Sequence, residues 1–98
     1  MQICAARVIF RLKESRSLKD KRQASQAIKS RLMNKFNISI SETAFVDDKN
    51  ILELGLVCTS NKASHSRSII DKAVLLAEYL RPEAELLKVE RYEFSAVD

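Results

Sequence analysis

The chain has 98 residues, 46% of them hydrophobic and 31% charged, with one glycine and one proline, and that composition fits a soluble globular domain and no other composition class. Its apolar runs, such as Ile51 to Cys58, are too short to span a bilayer, and the N-terminus lacks a charged-then-apolar signal pattern, so a single cytoplasmic domain over residues 1–98 with no membrane association is expected. Net charge is only +4, but between Arg16 and Phe36 seven cations face Asp20 alone, and the rest of the chain is net negative. That asymmetry points to a local anionic partner, nucleic acid foremost, rather than to general stickiness.

Gln2 to Lys13 alternates, with Cys4, Ala6, Val8, Phe10 and Leu12 on one side, which predicts a strand. From Ser17 the period becomes helical, and Leu18, Ala24, Ile28, Leu32 and Phe36 form one apolar stripe over about five turns. Ser17 is the predicted N-cap. The outer face then carries Gln23, Gln26, Ser30 and Asn34, flanked by Arg22 and Lys29 on one side and Lys21, Arg31 and Lys35 on the other. Ile38 to Val46 reads as a second strand, and the turn residues Asp47 to Asn50 join it in a hairpin to a third over Ile51 to Ser60. Ser60 or Asn61 can cap a second helix that runs to about Leu80, with Ile69, Ile70, Ala73, Val74, Ala77 and Leu80 inward and Pro82 at its exit. Glu85 to Phe94 supplies a last strand. Cys4 and Cys58 sit in apolar strand runs without CxxC spacing, so buried thiols are expected rather than a disulfide or metal pair.

The order strand, helix, strand, strand, helix, strand is the α+β, ferredoxin-like βαββαβ pattern, a four-stranded antiparallel sheet with two helices on one face. The first and third strands are expected to be central, adjacent and parallel, which would bring the two helix N-termini side by side. On that arrangement Arg16, Ser17, Lys19, Lys21 and Arg22 would converge with Ser60, Asn61, His65 and Arg67. Four cations at the positive pole of a helix oppose local stability by roughly 0.3–1 kcal/mol each, which suggests anion binding. The competing reading is a solvated surface, partly salt-bridged to Asp20 or Glu14.

Ser17-Leu18-Lys19-Asp20-Lys21-Arg22, followed by Phe36-Asn37-Ile38-Ser39-Ile40-Ser41-Glu42 and then Cys58-Thr59-Ser60-Asn61, resembles the YlxP-like family of small bacterial proteins over nearly the whole chain. Their wording is close to SLKEKR, then FNVSVAE, then a strand ending near SN. Arg91 and Tyr92 depart from the smoother apolar and acidic alternation of the last strand in these relatives. The resemblance implies a ferredoxin-like fold and, since the family is of unknown function, supplies no catalytic residues to carry over. Its genes often accompany those for ribosome-binding factor A and translation initiation factor two, which implies a setting near RNA or the ribosome.

No arrangement in the sequence signals catalysis. His65 is the only histidine and has no motif partner; Asp47 and Asp48 lack a third ligand; and the one glycine, Gly55, lies in a strand, so neither a metal nor a small-molecule cofactor is expected. The open sheet face is predicted to carry Arg7, Arg11, Glu53, Val57 and Thr59 and to lack the aromatic pair on which an RRM-type sheet stacks bases. Two partner classes follow. RNA phosphates could be held at the paired helix starts; alternatively a second copy or another protein could cover the apolar centre of the sheet at Ile3, Ile9 and Val57.

Overall fold

The computed structural model describes residues 1–96. In chain order it forms β1 (Gln2–Leu12), α1 (Leu18–Lys35), β2 (Ser39–Ala44), β3 (Ile51–Ser60), α2 (Ala63–Leu80) and β4 (Ala84–Ser95). The strands make one sheet in the order β2-β3-β1-β4, every pair antiparallel. The chain is a ferredoxin-like α+β domain. Alternation builds the core from the sheet side: Cys4, Ala6, Val8, Phe10 and Leu12 of β1 and Leu52, Leu54, Leu56 and Cys58 of β3 are buried. Ala24, Ile28 and Leu32 of α1 and Ile70, Ala73, Val74 and Ala77 of α2 cover them at helical spacing. No helix among the described residues is long and apolar enough to cross a membrane.

The expectation that β1 and β3 run parallel is overturned: Gln2 pairs with Ser60 and Arg11 with Ile51. The reason is topological. The crossover through α1 returns β2 parallel to β1, and the tight β2–β3 hairpin then reverses the chain, so β3 must oppose β1. The two helices therefore start at opposite ends of a molecule 46 Å long. At ~3.3 Å per residue the strands set those starts about 30 Å apart.

Two bulges set which side chains face out. In β4, Ile9 pairs with Lys88 but Phe10 with Leu86, so Leu87 is extra and inward-facing positions change parity there. Before the bulge Ala84 and Leu86 point to the core; after it Val89, Arg91 and Glu93 point to the helix side. Arg91 reaches Asp71 at 2.6 Å and Glu93 accepts from Arg67 at 2.5 Å, both tying β4 to α2. In β2, Thr43 is extra opposite Glu53. Its methyl lies over Gly55, where an added Cβ would come within 2.7 Å of Thr43 Cγ2.

Cys4 and Cys58 are register partners across β1 and β3, both free and almost fully buried. Burial pushes both thiols above their ordinary range. A thiol reagent should leave the native protein unmodified, and its reaction should track unfolding in denaturant. Labelling of the folded protein at the rate of a free thiol would contradict this packing.

Candidate nucleic-acid interface

The start of α1 is built from short polar contacts. Ser17 has extended backbone and its hydroxyl accepts from the Asp20 amide at 3.1 Å, while Asp20 Oδ2 accepts from the Arg16 amide at 2.9 Å. Ser17 is thus the cap, and Asp20 is committed to the same turn as an acid at the positive pole. Ser17→Ala should cost about 1 kcal/mol in chemical denaturation; an unchanged midpoint would show that the cap carries no stability.

Lys21 does not belong to the exposed cluster in which the sequence placed it. It is 1% exposed. Its Nζ donates to the carbonyl oxygens of Phe45 at 2.6 Å, Ile51 at 3.1 Å and Val46 at 3.3 Å, and lies 3.5 Å from Glu42 Oε2. The ammonium is a tether for the β2–β3 loop, with no valence left for a phosphate. The missed signal was spacing, because Lys21, Ala24, Ile28 and Leu32 share one side of the helix.

The remaining cations of this region behave differently. Arg16, Lys19, Arg22, Lys29, Arg31 and Lys35 form no ion pair among the described residues. Arg7, Arg11, Lys13, Arg67, Arg81, Lys88 and Arg91 each have a carboxylate partner. Lys19, Arg22, Gln26, Lys29 and Met33 recur at three- and four-residue steps and line one outer side of α1, with Lys29 half-buried and the others exposed. With Lys21 turned inward and the exposed Arg31 on the other side of the helix, where it borders a depression with Leu80 and Arg81, this stripe gathers the cations of one outer side of α1.

The second half of the expected site lies at the far end of the molecule. Lys62, not Ser60 or Asn61, occupies the N-cap of α2, and it makes no side-chain capping bond. Ser60 Oγ instead accepts from the Lys62 amide at 3.1 Å and donates to the Lys62 carbonyl at 2.6 Å. Asn61 and His65 are exposed there. Arg67 is bound to Glu93, a hydrogen bond that raises the guanidinium pKa further. Arg16, Ser17, Lys19 and Arg22 therefore do not converge with Ser60, Asn61, His65 and Arg67, and a paired-pole phosphate site does not exist in this fold.

The open sheet face also differs from expectation. The register places Tyr92 beside Ala5 and Phe94 beside Ile3, 47% and 54% exposed, so the face does carry an aromatic pair, on the edge strand β4. Val57 is exposed beside them, Ile3 and Ile9 are half-buried, and Glu53 is buried. A line of polar contacts crosses the rest of the face. Thr43 donates to Glu53 at 2.7 Å, Arg7 Nε lies 3.4 Å from Glu53 Oε1, and Arg7 donates to Glu90 at 3.0 Å.

Glu90 also accepts from Lys88 at 2.7 Å and from the Tyr92 hydroxyl. The Lys88 bond first, then that of Tyr92, lowers its carboxyl from 4.5 to about 2, and the same contact raises the Tyr92 phenol. A depressed carboxyl favours the fold above its unfolded pKa, and that contribution disappears as pH falls from about 4.5 to about 2. Glu90→Gln should flatten the acid loss of urea stability in that window. An acid limb identical to the parent's would refute it.

No curated protein matches the chain. Among solved structures, it is similar to a de novo designed protein with a ferredoxin fold, determined by solution NMR, at 14% identity and a TM-score of 0.44, covering 100% of this chain and 88% of that one. The family model described as "Protein of unknown function (DUF503)" matches residues 3–91, which is most of the sheet and both helices. The chain belongs to that family.

Proposed function

We propose that this protein is a non-catalytic, cytoplasmic binding module that holds the phosphate backbone of RNA against the outer side of α1. The observation that carries the reading is the stripe of Lys19, Arg22 and Lys29, joined by Arg16, in which no cation is paired with a carboxylate among the described residues. Cations elsewhere on the sheet and α2 are largely neutralised within the fold, so an external polyanion gains most at α1. The YlxP-like wording of the same helix, with the ribosomal gene setting that the resemblance implies, fits this reading. Contacts of this kind position a backbone and read little sequence. The test is binding of a structured ribosomal RNA fragment by the parent and by a Lys19→Gln, Arg22→Gln, Lys29→Gln variant. Equal affinity of a folded variant refutes the site.

A second reading is favoured by Tyr92, Phe94 and Val57, whose exposed side chains, with Ile3, form an apolar area where every neighbouring charge is already paired. Such a surface desolvates at low cost and suits a second copy of the chain or another protein. Sedimentation of the parent against a Tyr92→Ser, Phe94→Ser variant tests it: a dimer lost in the variant supports the reading, and a monomeric parent removes the homodimer.

A further inference from the structure

Among the described residues Phe45 is the only non-glycine residue with positive φ, at 58°. A bulky L-residue disfavours this region, and it persists only where the surroundings impose it. Here they do. Lys21 grips the Phe45, Val46 and Ile51 carbonyls from inside the fold. From the other side Asn50 Nδ2 donates to the Leu12 and Ser15 carbonyls, each at 2.9 Å, and Asp48 Oδ1 accepts from the amides of Asn50 at 2.8 Å and Ile51 at 3.1 Å. Two loops are thereby fixed together at the end of the sheet where α1 begins.

All this tethering secures a ring that the core does not use. Phe45 is 49% exposed and Val46 59% exposed. Phe45, Val46 and Lys49 line a surface depression together with Leu18, the first residue of α1. Lys19 follows Leu18 in sequence, and Arg22 lies one turn along the same side. Asp47 and Asp48 set two carboxylates in the depression, the latter turned to the Asn50 and Ile51 amides, against Lys49 in the lining and Lys19 and Arg22 beside it on α1, an excess of one positive charge. Lys21 takes the Phe45 and Val46 carbonyls and the Leu12 amide that of Asn50, so what the tip presents beside Phe45 is an aromatic face next to the cations Lys49, Lys19 and Arg22.

We infer that Phe45 stacks on an unpaired base of an RNA strand whose phosphates lie along Lys49, Lys19 and Arg22. This rests on the RNA reading of α1 and narrows it: the ligand is single-stranded or looped RNA, not continuous duplex. An aromatic face accepts any base, and in a duplex the bases are stacked on one another and unavailable. Because the loop is already held in place, little ordering cost falls on binding.

The experiment compares a labelled mixed-sequence single-stranded RNA with a blunt duplex of equal length, by fluorescence anisotropy at one low salt concentration. The proteins are the parent, Phe45→Ala, Phe45→Tyr and Phe45→Asn; the last lacks the ring but tolerates the left-handed backbone, so the loop survives the change. The expected result is a roughly 5- to 150-fold loss of single-strand affinity in Phe45→Ala and Phe45→Asn, retention in Phe45→Tyr, and no change in any weaker duplex binding. Single-strand binding that is indifferent to Phe45, or duplex binding as tight as single-strand binding, overturns the inference and leaves the α1 reading standing. Failure of the parent to bind either RNA overturns both. Displacement of RNA by a polyglutamate peptide that binds more tightly and depends on Phe45 assigns the surface to an acidic protein segment and overturns the inference.

Discussion

Lys21→Met is expected to destabilise the fold by about 3–5 kcal/mol, while Arg22→Met, one residue on, should change stability by no more than about 0.5 kcal/mol. The two positions look alike in sequence but have opposite surroundings: Lys21 is buried and Arg22 is exposed. Removing the ammonium takes away the side-chain donor of the Val46 and Ile51 carbonyls and leaves that of Phe45 with only the Asp48 amide, at about 1–3 kcal/mol for each group left unpaired that water cannot reach. It also leaves Glu42 without its cation in a largely shielded position. Some relief comes from the loop opening to solvent, which is why the expected loss is less than three full penalties. Guanidinium unfolding of the two variants gives the comparison directly. A Lys21→Met midpoint within about 1 kcal/mol of the parent would mean that the tether contributes little and that the loop is held by Asn50 and Asp48 alone.

The second large effect concerns binding. For RNA backbone contacts the logarithm of affinity falls linearly with the logarithm of salt concentration, by roughly 0.7–0.9 per phosphate neutralised. If Lys19, Arg22 and Lys29 each neutralise one phosphate, replacing all three with Gln should lower the magnitude of that slope by roughly 2 to 3. The free-energy loss is then largest at low salt and shrinks as salt rises. Because these side chains make no ion pair among the described residues, the triple variant should keep the parent's unfolding midpoint to within about 0.5 kcal/mol per site. An unchanged slope would remove the stripe from the interface even if affinity fell.

Element order and core were legible because they depend on local periodicity. Cys4, Ala6, Val8, Phe10 and Leu12, with Ala24, Ile28 and Leu32 of one helix stripe and Ile70, Ala73, Val74 and Ala77 of the other, were read from spacing alone and are buried, while Leu18, Phe36, Ile69 and Leu80 of the same stripes are half-buried. The direction of β3 relative to β1 is a property of the connections, and local pattern carries no trace of it; assuming parallel strands joined two helix starts that lie at opposite ends. Lys21 was misread because charge suggested exposure, although its spacing to Ala24 and Ile28 placed it inward. The outward position of Tyr92 and Phe94 was hidden by the Leu87 bulge, which shifts the alternation mid-strand and leaves apolar residues at both parities. The Ser17 cap was legible because it depends on the residue three positions along, Asp20.

The most direct test of the α1 interface is amide chemical-shift mapping of the protein on addition of a looped ribosomal RNA fragment at low salt. The expected result is perturbation along Arg16 to Met33, strongest at Lys19, Arg22 and Lys29, with Ser60 to Arg67 at the far end unaffected. Shifts centred on Ser60 to Arg67, or on Ile3, Val57, Tyr92 and Phe94 of the open sheet, would contradict it.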